Sequence, residues 1–116
     1  MDLGLAWQGG DALHEVVLTP GGPVRVGRGP AVDLAVDHPG VSRLHALLWP
    51  ADDTWEVADA GSRNGTTVNG RPAAARTPLA AGDRIGLGPV VLTVTGLLAR
   101  GHPQPAALRD RLLARL

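Results

Sequence analysis

Between Leu3 and Thr95 short apolar stretches alternate with turn-forming residues. Gly9-Gly10-Asp11, Pro20-Gly21-Gly22-Pro23, Gly29-Pro30, His38-Pro39-Gly40, Asp52-Asp53 and Asn64-Gly65 punctuate the chain. The intervals predict strands over Ala12–Leu18, Val24–Arg28, Asp33–Val36, His45–Trp49, Thr54–Ala58, Thr66–Val68, Arg84–Leu87 and Val90–Thr95. Val24 and Val26 flank Arg25, and Trp55 and Val57 flank Glu56; Val90, Leu92 and Val94 are spaced the same way. That period of two marks half-buried strands. Asn69-Gly70 is the strongest hairpin signal, because both residues tolerate the positive φ of a type I′ turn. Many short strands with closely spaced turns predict an all-β sandwich or barrel. The run Pro105–Leu116 differs. Its good helix formers place Leu108, Leu112 and Leu116 on one face, which predicts a short C-terminal helix packing on the sandwich or serving a dimer contact. The expected organisation is a domain over 1–98, then a linker and helix over 99–116.

At 116 residues the chain suits one domain with a real hydrophobic core. It has no cysteine, Phe or Tyr, so the core must rest on Val, Leu, Ile and the tryptophans Trp7, Trp49 and Trp55. A cysteine-free chain with no basic, apolar leader and no run long enough to span a membrane is expected in the cytoplasm. Formal net charge is zero, which argues against nucleic-acid or membrane-surface binding. All eleven basic residues are arginine, whose forked donors suit planar anions.

Four blocks carry the candidate chemistry: Gly27-Arg28; Ser42-Arg43-Leu44-His45-Ala46; Asp59 through Gly70, reading DAGSRNGTTVNG; and Leu79 through Gly88, reading LAAGDRIGLG. In this order and spacing, from about Val24 to Val94, they resemble the forkhead-associated (FHA) domain family. The resemblance implies an FHA-type β-sandwich of about eleven short strands whose loops hold a phosphothreonine peptide. On that reading Arg28 binds phosphate by charge-assisted, bidentate contact. Ser42 donates its hydroxyl to a phosphate oxygen, and Arg43 adds a second cation. Asn64 bonds the peptide backbone with its carboxamide. Arg63 stands where the family varies: it touches phosphate, an acidic flanking residue or only solvent. Gly27, His45, Asp59, Gly65, Thr66, Asn69 and Gly70 are implied to support the site structurally, His45 by hydrogen-bonding between loops.

The implied partner is a phosphothreonine-containing protein or peptide, with a Ser/Thr protein kinase in the same cell. The alternative is a phospho-independent interaction module on the same fold. An enzyme is not expected. Ser42, His45 and Asp59 supply triad residue types, yet no Gly-x-Ser-x-Gly elbow or P-loop is present. His14, His38, His45 and His102 are scattered without cysteine companions, so neither a metal nor a cofactor is expected.

Overall fold

The computed structural model describes residues 1–99. Eleven strands form two sheets: β1 Asp2–Gly9, β2 Ala12–Leu18, β3 Val24–Gly27, β4 Leu34–Ala35, β5 Ala46–Ala51, β6 Thr54–Asp59, β7 Thr66–Val68, β8 Arg71–Pro72, β9 Thr77–Pro78, β10 Arg84–Leu87 and β11 Val90–Leu98. One sheet runs β2-β1-β11-β10-β7-β8 and the other β4-β3-β5-β6-β9. The helix expected over 105–116, and most of its linker, lie outside the described residues.

The all-β expectation holds, and three strands escaped sequence reading. β1 is central in its sheet, paired with both β2 and β11. Leu3, Leu5 and Trp7 point inward, but Gly4 and Ala6 between them are not polar, so no alternation announces the strand. β8 and β9 are two residues long and each contains a proline. Proline cannot donate to a ladder, and both strands lie at sheet edges, where that loss is tolerated. Asn69 and Gly70 adopt φ of 53° and 84°, making the turn that sets Val68 opposite Arg71.

The core lies between the sheets. Leu3, Leu5, Ile85, Leu87, Leu92 and Val94 of one sheet meet Val26, Leu48, Trp55 and Val57 of the other, all essentially inaccessible. Trp55 also donates its indole N–H to Met1 O at 2.8 Å, which satisfies the one polar atom its burial would strand. Trp49 corrects the expected core. It sits half-buried outside the cluster, with the Arg76 guanidinium 4.3 Å above its ring. In the Ala46–Ala51 strand, Ala46 and Leu48 take the inward positions, so the period of two turns Trp49 to the other face.

Two loop residues belong to the core as well. Val36 and Val41 are each 1% exposed and bracket the segment 37–40. Anchors of this kind are worth about 1.5–3 kcal/mol apiece. They pin the chain on either side of a turn closed by Val41 N donating to His38 O at 2.9 Å and Gly40 N to His38 Nδ1 at 2.9 Å.

Candidate functional site

The loops β3–β4, β4–β5 and β6–β7 meet at one end of the sandwich around an open groove of about 410 Å³. Arg28, Ser42, Arg43, Arg63 and Asn64, the five residues singled out for peptide binding, all line it, together with Pro39, Gly40, Val41 and Leu44. No carboxylate does. Among the described residues the ion pairs are Arg25–Asp33 and Arg76–Glu56, so none of the three groove arginines is neutralised by an acidic side chain.

Arg28 follows the last residue of β3 directly. Its amide donates to Ser42 O at 3.0 Å and that of Gly29 to Arg43 O at 3.1 Å, stitching the strand end to the serine loop. The contact is close enough to demand glycine before it. A Cβ on Gly27 would overlap the Arg43 carbonyl oxygen and lie 2.8 Å from that of Ser42.

Ser42 Oγ accepts the Arg63 amide at 3.0 Å. An accepting hydroxyl keeps its own hydrogen, which remains available to an anion in the groove. Asn64 donates through Nδ2 to Gly40 O at 2.8 Å. Its Oδ1 and second N–H stay open to a ligand backbone.

His45 is fully buried. Its Nδ1 receives the Ser42 amide at 3.0 Å and its Nε2 lies 2.8 Å from Gly65 O. The amide can only donate and the carbonyl only accept, so the partners select the Nε2–H tautomer. The ring therefore bridges the serine loop and the asparagine loop. It does not reach Ser42 Oγ, and Asp59 bonds elsewhere, so Ser42, His45 and Asp59 form no triad.

Asp59 ends β6 and organises the asparagine loop. Oδ2 accepts Gly61 N at 3.0 Å and Ser62 N at 3.1 Å; Oδ1 accepts the Ser62 hydroxyl and Thr66 Oγ1, the latter at 2.7 Å. Ser62 Oγ in turn accepts Gly65 N at 2.8 Å. Burial alone would raise the Asp59 carboxyl, but the hydrogen bonds from Ser62, Thr66 and Gly61 outweigh it and hold the group below the usual carboxylate range. A carboxyl held low in the fold contributes stability that is full above its unfolded value, about pH 4, and fades as pH falls through the lower folded value. Asp59→Asn is thus expected to cost about 2 kcal/mol at pH 7 by denaturant titration. It should also flatten the acid limb below about pH 4 relative to the parent protein.

Asn69 and Gly70 stand apart from the groove. Asn69 joins the β7–β8 turn to the β10 entrance, donating to Asp83 Oδ1 at 3.0 Å and accepting Arg84 N at 2.9 Å. Three further groups, which residue type alone does not mark, shape the groove. Ser62 relays Asp59 to Gly65, a role its Asp-x-x-Ser spacing hints at. Gly40 O orients Asn64. Gly88, at φ 56°, backs both, since a Cβ there would lie 2.7 Å from Gly40 O and 3.1 Å from Asn64 Cβ. Among the described residues no cluster of three acidic or histidine side chains could hold a metal ion, and no helix is long and apolar enough to cross a membrane.

The FHA domain model matches residues 24–88, more than half of the chain and all of the groove. The chain belongs to the FHA domain family. Solved structures agree over most of the chain. An FHA domain studied for phosphothreonine-dependent interactions is 32% identical with a TM-score of 0.72, covering 90% of this chain and 100% of that one. The FhaA FHA domain, solved in complex with the intracellular domain of another protein, is 33% identical with a TM-score of 0.70, over 79% of this chain and 98% of that one. Among curated proteins, the oxoglutarate dehydrogenase inhibitors of Corynebacterium diphtheriae and Corynebacterium jeikeium are 42% and 44% identical over 62 residues. The aligned stretch is 53% of this FHA chain but only 43% and 42% of those relatives, so the chain matches less than half of their length.

Proposed function

We propose that this FHA domain, residues 1–98, is a phosphothreonine-dependent interaction module. It docks a phosphorylated segment of a partner protein in the groove, with Arg28, Ser42 and Arg43 on the phosphate. Asn64 lies on the peptide backbone, and Arg63 on the phosphate or an acidic neighbour. The observation that carries the reading is the convergence of these five side chains on one groove that holds three un-neutralised guanidinium groups and no carboxylate. Forked cations and a free hydroxyl suit a group bearing nearly two charges and three strong acceptors. The phosphothreonine dependence of a 32% identical domain over the same sandwich points the same way. The module acts downstream of a Ser/Thr protein kinase, in the cytoplasm, and is not itself an enzyme: His45 is committed on both nitrogens to backbone groups and offers no base to Ser42.

Calorimetric titration with a degenerate phosphothreonine peptide pool and its unphosphorylated twin tests this. Only the phosphorylated pool should bind; equal binding of both would establish a phospho-independent module instead. Affinity should also fall, on the order of tenfold, from pH 8 to pH 5. The second phosphate ionisation lies near pH 6, and the monoanion offers less charge to the arginines. The same affinity at both pH values would count against a site that reads the dianion.

A further inference from the structure

Beside the anion groove lies a second hollow of about 220 Å³, walled almost entirely by carbon. Gly29, Pro30, Ala31 and Val32 of the β3–β4 loop line it together with Arg43 and Leu44, and Arg25 stands at its rim. Arg43 and Leu44 line both this hollow and the groove, so the two are continuous. Leu44 stays 41% exposed although the residues that follow it, His45 and Ala46, are buried. The hollow is built rather than incidental. Gly29 is tied to Arg43 O by its amide, and a Cβ on it would come within 3.0 Å of Arg43 Cβ, so the two segments that line the hollow are held tightly together. The loop closes through Arg25 and Asp33: Arg25 N donates to Asp33 Oδ2 at 2.8 Å, Asp33 N to Arg25 O at 2.9 Å, and the guanidinium grips the same carboxylate at 3.2 and 3.3 Å. That clip occupies the charge of Arg25, the remaining ionic group at the rim.

The geometry points to a subsite for one apolar side chain of the bound phosphopeptide, a Leu, Ile, Val or Met close in sequence to the phosphothreonine. The inference rests on the phosphopeptide reading of the groove and adds the flanking chemistry that reading leaves open. A strongly hydrated or acidic side chain would lose its water against a lining that is almost all carbon, whereas an aliphatic one gains the burial that Leu44 and Val32 themselves lack. The phosphate then supplies the switch and the apolar residue the selectivity among phosphorylated segments.

The test is a set of phosphothreonine peptides in which each flanking position in turn carries Leu, Asp or Gly, titrated against the parent domain and Ala31→Trp. Ala31 is exposed and lines the hollow but not the groove. At one flanking position Leu is expected to bind about tenfold more tightly than Asp or Gly. Ala31→Trp fills the hollow and should erase that preference while binding of the Gly peptide persists. Methyl shifts of Leu44 and Val32 on titration of the parent domain locate the contact independently of any variant. Phospho-dependent binding with no apolar preference at any position overturns the subsite and leaves the groove reading intact. So does a preference that Ala31→Trp leaves untouched without shifts at Leu44 and Val32. Failure of every phosphorylated peptide to bind overturns both.

Discussion

Arg28→Ala is expected to weaken phosphopeptide binding by a hundredfold or more while leaving the domain folded. A bidentate guanidinium–phosphate contact comprises two charge-assisted hydrogen bonds, each worth about 1.5–3 kcal/mol. Losing both removes about 3–4 kcal/mol even where Arg43 compensates in part, which is two to three orders of magnitude in affinity. The scaffold should not notice. The side chain is exposed, and the bond that ties this position to the serine loop uses the Arg28 amide, which alanine retains. Stability by denaturant titration should stay within about 0.5 kcal/mol of the parent. Arg28→Lys keeps the charge but not the fork, so its affinity should fall between the two. A folded Arg28→Ala domain that binds phosphopeptide as the parent does would remove Arg28 from the site.

Gly27→Ala should do the opposite and act on the fold first. Its added methyl would overlap the Arg43 carbonyl and crowd that of Ser42. Both obstacles are backbone, so neither can step aside as a flexible side chain would. Gly27 is itself fixed within β3 by pairing with β4, and the two amides that follow it are bonded to those same carbonyls. The strand end and the serine loop must separate to accept the methyl. The expected cost is about 3 kcal/mol, the upper part of the range for overpacking. Phosphopeptide affinity should fall with it, because the displaced loop carries Ser42 and Arg43. Urea denaturation measures the first effect and titration of the folded fraction the second. A loss below about 1 kcal/mol with native affinity would mean that the close approach is not rigid.

The two substitutions separate what can be read along the chain from what cannot. Turn residues and alternation announced a β-sandwich, because they act over two to eight neighbouring residues. Asn69-Gly70 is a turn in the structure for the local reason it looks like one in the sequence. Other strands carry no local signal. β1 alternates large apolar residues with Gly4 and Ala6 rather than with polar ones, and β8 and β9 have only two residues each. The type of Trp49 predicts a core residue, but strand parity turns it outward beneath Arg76.

The groove follows the same division. The residue types at 28, 42, 43, 63 and 64, and their order, are properties of the sequence, and the chemistry of forked cations, a hydroxyl and a carboxamide can be inferred from them. Tertiary structure alone decided that three loops carrying residues from Arg28 to Asn64 share one groove, that His45 spans two of them through opposite ring nitrogens, and that Gly27 is glycine because another backbone passes against it. It alone placed the apolar hollow of Ala31 and Leu44 beside the arginines. The physical reason is range. Propensity and alternation are set by neighbours along the chain, whereas a groove is set by contacts whose partners are fixed only once both sheets have closed on a common core.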